Sequence, residues 1–368
     1  MESRHCRQGL YCALPYALWP SVCRAILLLL LWSLAGCQSL GYYGQAVQGQ
    51  WQLLQQRQSL TRLLQDPALP QQRRRELELV RQVRAFARTE LGLDVSGQYD
   101  SFVELERPFV VWNVLAAPEF SLQPRRWCFP VAGCVSYRGY FREVAARRYA
   151  AALATQGLDT YVGGVTAYST LGWFDDPVLS SMLRREQLEL VAVLIHELAH
   201  AELYIAGDTD FNESFATTVE LEGLRRWLEQ RVPMQERATA QHSARQARER
   251  QAQFVGLVEA AAADLEQLYH ASGSEALLRE QKRQRQQRLR ADYQALRASW
   301  GGYSGYDAWF DGPLNNAQLG SVRSYHALVP DLQALLDSLH GDLPAFYQAA
   351  RRLKPLSPGE RRARLQAR

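Results

Sequence analysis

An α+β fold is predicted here, mainly helical, with a small antiparallel sheet and a long helical hairpin. Three observations predict it. Apolar residues recur at helical spacing through most of the 368 residues. Between Tyr99 and Phe141 the texture changes to short β-prone runs bounded by proline. Two long stretches rich in Gln, Arg and Glu, from about Gln235 to His270 and from Glu275 to Trp300, flank Ser272-Gly273, the pattern of an antiparallel hairpin.

At the start, Arg24 precedes an Ala/Ile/Leu run to Ser33 that is too short for a comfortable membrane span. It closes on Leu34-Ala35-Gly36-Cys37, the order of a signal-peptide core running into small residues before a cysteine. This resembles a bacterial lipobox and implies cleavage before Cys37 and diacylation of its sulfur. The stretch from Met1 to Cys23 is long for such a leader, and an uncleaved signal anchor is the alternative. Gln38 is not aspartate, so resemblance to sorted lipoproteins implies an outer-membrane anchor facing the periplasm. No second apolar stretch is long enough to span a bilayer.

Gly41-Tyr42-Tyr43-Gly44 reads as a tether. Leu53, Leu54, Leu60, Leu63 and Leu64 mark a first helix, stopped by Asp66-Pro67, and Leu77, Leu79, Val80, Val83 and Phe86 a second, to about Leu91. Phe109 to Leu115 is a strand, Arg142 to Gln156 an alanine-rich helix, and Thr160 to Ser169 a strand weakened by Gly163 and Gly164. Asp176-Pro177 is read as a helix start, and a further helix runs from about Glu186 to Ala206, ended by Gly207. The next opens in Asp208 to Ala216 and lasts to about Gln230, with Pro233 beyond it. After the hairpin, Gly301 to Gly312 is a loop of glycines and aromatics. Short helices near Leu328 to Leu339 and Pro344 to Leu353 close the chain, and the basic tail after Pro355 is expected to be disordered.

Cysteine usage agrees with export. Of six cysteines, Cys6, Cys12 and Cys23 precede the cleavage point, Cys37 lies at it, and Cys128 and Cys134 follow. In an oxidising periplasm Cys128 and Cys134 would bridge and staple a tight Pro/Gly loop, stabilising by on the order of 2 kcal/mol. Two free buried thiols are the alternative. A net charge of +4, with Lys and Arg spread among acids and glutamines, argues against nucleic-acid binding.

The chemistry is concentrated in His196-Glu197-Leu198-Ala199-His200, set among Val191, Val193, Leu194, Ile195 and Leu203. Histidines four apart lie on one helix face, so both imidazoles reach one metal ion, and Glu197 can take a proton from its water. Ionisable groups on so apolar a helix are costly unless paired or bound to metal; a pair of satisfied core histidines beside a salt-bridged glutamate is the competing account. Three protein ligands and one open position are needed for catalysis. Glu213, on the next helix across a turn containing Gly207, is the candidate third ligand. It competes with a capping box in which Asp210 is the N-cap and Glu213 satisfies a backbone amide. Glu220 and Glu222 are further ligand candidates, and His242 and His270 fall in the polar hairpin.

This combination resembles the gluzincins, HExxH zinc peptidases whose third ligand is a glutamate on a following helix. More closely, the mature chain resembles a family of bacterial lipoproteins described as aminopeptidases. The resemblance rests on the lipobox, Cys128 to Cys134 leading to Tyr137 to Phe141, and Ala167 to Pro177. It rests too on His196 to His200, Asn212-Glu213-Ser214-Phe215-Ala216, and Asn315 to Tyr325. It implies a zincin-like metallopeptidase with Zn2+ on His196, His200 and Glu213, Glu197 as general base, and a peptide substrate. Thr217 departs from the pattern, because thermolysin-like enzymes carry there the aspartate that orients a ligating histidine. Tyr325 is the candidate donor to the oxyanion, with Tyr303 and His326 behind it. Gly163, Gly164 and Tyr168 are candidate substrate-binding residues on an edge strand, with an ordinary bulged strand as the alternative. Asp175, Asp176, Asn315 and Asn316 are candidates to hold a substrate α-ammonium group.

The expected organisation is a signal peptide over 1–36, a lipidated tether over 37–44, a peptidase core over 45–234, the hairpin inserted over 235–300, the rest of the core over 301–355 and a basic tail over 356–368. A non-catalytic scaffold that binds a protein partner through the hairpin, and a zinc hydrolase of cell-wall peptides, are the other functional readings.

Overall fold

The leucine pattern between Leu53 and Leu64, expected as one helix, is interrupted in the computed structural model. Helix α1 covers residues 41–55, a short strand β1 (Gln58–Ser59) follows, and α2 (Leu60–Gln65) resumes the helix. Antiparallel pairing of β1 with β2 (Ser101–Val103) overrides the helical spacing at this point. The structure describes residues 41–129, 133–167, 170, 174–323 and 328–367, so Cys37, Tyr168, Tyr325 and His326 lie outside it. The chain divides into two compact units, Met1–Trp51 and Gln52–Arg368. Gly41 to Gly44, expected as a tether, belong to α1; two glycines cost about 1 kcal/mol each, which does not stop a helix that good formers continue.

Within the second unit, α3 (Gln71–Glu90) buries Leu77, Val80, Val83, Phe86 and Ala87, the stripe that its apolar spacing demands. Among the described residues, three small sheets follow. In the first, β2 lies between β1 and β8 (Val178–Leu179), antiparallel to one and parallel to the other. Asp176-Pro177 therefore leads into a strand, where a helix start was expected, and a 3-10 turn at Met182–Arg184 comes next. In the second, β3 (Val111–Pro118) is central, antiparallel to β6 (Arg138–Tyr140) and to β7 (Leu158–Val165), which is left at the edge. The third pairs β4 (Trp127–Phe129) with β5 (Gly133–Val135). Helix α4 (Glu143–Ala154) connects β6 to β7.

The two helices that matter most are α5 (Gln187–Glu202) and α6 (Thr209–Gln230). They share the main core with α3, α11 (Val329–Ser338) and α12 (Leu343–Arg351). The hairpin of α7 (Met234–His270) and α8 (Glu275–Ser299) has a core of its own, in which Phe254, Val258 and Leu265 meet Leu289 and Tyr293. The aromatic loop after it contains a short helix α9 (Asp307–Phe310), and its rings complete that core: Phe310 stacks on Tyr293 with centroids 3.8 Å apart, and Tyr306 on Phe254 at 4.2 Å. Helix α10 (Asn316–Arg323) follows. Lys282, buried on α8, ties the hairpin to the sheet through Asp159 at 2.6 Å and the Glu119 carbonyl at 2.8 Å. No described helix is long and apolar enough to cross a membrane.

The tail expected to be disordered is helix α13 (Pro358–Gln366), started by a Ser357/Glu360 capping box. Its composition is basic, but one arginine faces inward. Arg361 is 2% exposed, pairs with the buried Asp208 at 2.8 Å, donates to the Leu353 carbonyl at 2.6 Å and lies over the Phe211 ring at 5.2 Å. Removing one partner of such a pair leaves the other charged and sealed from water. Arg361→Ala is therefore expected to destabilise the fold by about 3 kcal/mol or more in urea unfolding. A loss below about 1 kcal/mol, the range of exposed pairs, would contradict this.

Candidate metal centre

Helix α5 buries Leu190, Val191, Leu194, Ile195, Leu198 and Ala199, which fixes its rotation and carries His196 and His200 to the side facing α6. The helices approach closely because α6 carries Gly223 opposite Ile195. A Cβ there would lie 3.0 Å from two Ile195 carbons and 2.9 Å from Leu91. The intervening turn has Gly207 at φ +82° and is pinned by Asn212, whose side chain bonds both the N–H and the C=O of Ile205 at 2.8 Å. Asp208 caps α6, accepting from the Phe211 N–H at 3.1 Å. The expected capping box on Asp210 is thus displaced by two residues, and Glu213 is turned toward the imidazoles.

His196 Nε2 lies 3.4 Å and His200 Nε2 3.7 Å from Glu213 Oε2. The two rings are edge-on, with centroids 4.9 Å apart. These separations are long for N–H···O hydrogen bonds. They suit three donors around one tetrahedral zinc, whose bonds of about 2.0–2.1 Å place ligand atoms about 3.3 Å apart. His196, His200 and Glu213 form a group whose ligand atoms all lie within 4.8 Å of one another, so the residues present fit a divalent cation. The other nitrogen of His196 faces Glu220 Oε2 at 3.0 Å. Glu220, considered above as a ligand, instead orients the first histidine, the task that Thr217 cannot perform. It stands two helical turns beyond Glu213, a same-face spacing readable in the sequence. Glu222 turns away to Arg225 and Arg226, at 2.8 and 2.7 Å.

Burial and electrostatics set the protonation states. Burial holds His200 down to about 4, the neutral form that a metal requires. For His196, burial acts downward, but the Glu213 and Glu220 carboxylates outweigh it and raise the group well above its ordinary value. Glu197 is pushed up to about 7, first by burial and then by Glu213 and Asp176, against His196 and Arg185. Asp176, accepting from the Thr170 N–H at 2.6 Å, is raised by burial to about 6. Tyr99 is buried beside both carboxylates, and burial followed by their charges holds its phenol well up. Neither Tyr99 nor Arg185 was singled out from sequence; only the packing of distant segments brings them here.

The other expected site residues divide. Cys128 and Cys134 are bridged, and the hairpin they staple leans on the α5–α6 turn: Arg126 donates to the carbonyls of Cys134 at 2.7 Å and Gly207 at 2.9 Å. Gly163 and Gly164 lie on the edge strand β7. Packing alone explains Gly164, since a Cβ there would meet the Phe109 ring at 2.3 Å, whereas one at Gly163 would meet only the Tyr161 ring. Tyr303 sits in the aromatic cluster of the hairpin, beneath Arg250. His242 and His270 are exposed.

An HExxH helix packed against a second helix that presents a glutamate to both histidines makes a site whose residues could hold a metal ion. The chain belongs to the family described as "Putative aminopeptidase", whose model matches residues 41–365, which makes it a peptidase. No curated protein and no solved structure matches it.

Glu213→Ala is expected to abolish stoichiometric zinc binding, and Glu220→Ala to weaken it by about 10- to 100-fold while the fold persists. Competition against a chromophoric chelator measures both. Equal loss in the two variants would show that Glu220 is itself a ligand.

Proposed function

We propose that this protein is a Zn2+-dependent aminopeptidase, anchored by lipidated Cys37 to the outer membrane and facing the periplasm. The convergence of His196, His200 and Glu213 at 3.4 and 3.7 Å, with Glu197 on the same helix turn, supports the reading most directly. When bound there, Zn2+ supplies a Lewis acid and acidifies its water. Glu197 accepts the proton that the attacking water loses and returns it to the nitrogen of the leaving amine. A carboxylate raised toward neutrality is matched to both transfers. Glu220 keeps the His196 ring in place throughout.

The substrate lies along β7. Val165 directs its carbonyl to Val110 on the β3 side, at 2.9 Å. Alternation then turns the N–H and C=O of Thr160, Val162 and Gly164 to the open edge. Asn315 occupies the Thr160 carbonyl at 2.9 Å, so Val162 and Gly164 are the groups offered to an extended peptide. Tyr325 donates to the developing oxyanion. The hairpin is an internal support in this reading, because its apolar face is already covered.

Glu197→Gln is expected to retain one zinc and lose about 10²–10⁴-fold in kcat on peptides with a free N-terminus. Full activity in this variant would remove Glu197 from the mechanism. Peptides with blocked N-termini should be cut far more slowly than free ones; equal rates would make the enzyme an endopeptidase. Glu197 protonates as pH falls and then accepts no proton, so kcat/KM should decline toward acid. A bound cation draws the carboxyl down from about 7 toward its ordinary 4.5, and the apparent pKa should fall between those values.

A further inference from the structure

Helix α1 carries an apolar row that faces outward. Tyr43, Val47 and Trp51 recur at every fourth position, so they lie one above another along one side of the helix. They are 43%, 69% and 60% exposed. Single exposed apolar residues need no explanation, but a row of three on one helix face does. The arc beside it is neutral, with Gly44, Gln48, Gln52 and Gln55 all exposed. A different arc is already covered, where Gly49 is buried and Tyr42, Gln45 and Ala46 are half-buried.

The whole of α1 lacks a charged residue. After Arg24 none occurs until Arg57, in a chain of which 22% is charged. Helices at a protein–water surface ordinarily place Lys, Arg, Asp or Glu on the outer side. One that exposes only uncharged residues can leave water without stripping any ion of its hydration. Tyrosine and tryptophan settle at the boundary of lipid and water, with the ring in the apolar layer and the polar tip among the headgroups. No described helix is long and apolar enough to cross a membrane, so such a helix lies along the surface.

Its place in the chain selects the partner. Gly41, the first residue of α1, is four peptide steps from Cys37, a reach of at most about 14 Å. The headgroup layer on each side of a bilayer is about 5–7 Å deep. An acylated Cys37 therefore holds the first turn of α1 at the bilayer surface. From Tyr43 to Trp51 the apolar row then runs about 12 Å along the helix.

We propose that the Tyr43, Val47 and Trp51 face of α1 lies in the lipid–water boundary of the membrane, parallel to its plane, with Gln48 and Gln52 turned toward water. The inference rests on the anchor at Cys37 and not on the peptidase reading. The acyl chains supply attachment. The helix supplies direction, because laid flat it fixes which of its sides meets lipid.

The full chain, produced with its own leader and carrying a benzophenone amino acid in place of Val47 or Gln52, tests this in vesicles of phosphatidylethanolamine and phosphatidylglycerol. Both positions are exposed, and an unchanged melting curve checks that the fold tolerates the probe. On irradiation, position 47 should yield phospholipid adducts about tenfold or more above position 52, read by mass spectrometry. Tyr43→Gln with Trp51→Gln should lower the adduct from position 47 by about threefold or more. Equal yields at 47 and 52, a yield that the double substitution leaves unchanged, or adducts from 47 to a second copy of the chain in place of lipid would each overturn the assignment. In native membranes, adducts from 47 to another protein in place of lipid would do the same. The mass of the N-terminal peptide separates this from the anchor. Lipid adducts at 47 beside an unacylated Cys37 would keep the face and sink the lipidation; an acylated Cys37 with no preference for 47 would do the reverse.

Discussion

The site depends on one short turn. Residues 203–208 reverse the chain between α5 and α6, and only a close antiparallel packing of these helices can present Glu213 to two imidazoles on the preceding one. Much of the surrounding structure is spent on holding that reversal. Asn212 closes it from inside with two bonds to Ile205, and Asp208 caps the outgoing helix while bound to buried Arg361. From outside, the disulfide-stapled hairpin reaches it through Arg126, and Gly133 of that hairpin has no room for a side chain because Gly207 stands 2.7 Å from its would-be Cβ. A misplacement of 1 Å matters for both ligation and catalysis, so rigidity here has a direct chemical use.

The same packing gathers charge that would repel itself. Glu197 and Glu213 lie near one another with Asp176 close by, in surroundings dry enough to push Glu197 up to about 7 and Asp176 to about 6. His196 balances part of this, but His200 is held neutral by burial and cannot. A divalent cation between the two histidines and Glu213 would resolve the imbalance, and their separations, longer than good hydrogen bonds, fit one.

Local chemistry was legible in the sequence, and long-range geometry was not. The HExxH helix, Glu213, the Cys128–Cys134 bridge and the hairpin follow from spacing and residue type within short windows. Glu220 was visible at the right helical interval, yet spacing alone does not tell a ligand from the carboxylate behind one; that needs the direction of the His196 ring. The tail misled because its arginines read as solvated, and only Asp208, far away in sequence, reveals that Arg361 points inward. Asp176-Pro177 carried a helix-start signal that parallel pairing of β8 with β2 overrode. In the last two cases a partner more than a hundred residues away, or a neighbouring strand, decided the matter.

Two separate cores meet on the edge strand. At its start, Asp159 accepts from Lys282 and from the Asn316 N–H at 2.9 Å, and Asn315 holds Thr160, so the hairpin core fixes where the strand begins. Beyond its end, Arg185 and Ser181 on the segment leading into α5 hold Thr166, so the metal-bearing core fixes where it stops. Between these clamps β7 is half-buried along its length, with one edge paired to β3 and the other open. An exposed edge is ordinarily a liability that proteins cover or charge. In the proposed function this edge, short and anchored at both ends, has a use instead: it would fix the register of an extended peptide. On this account the long helical hairpin acts on catalysis at a distance, by setting the position of Thr160 rather than by touching substrate.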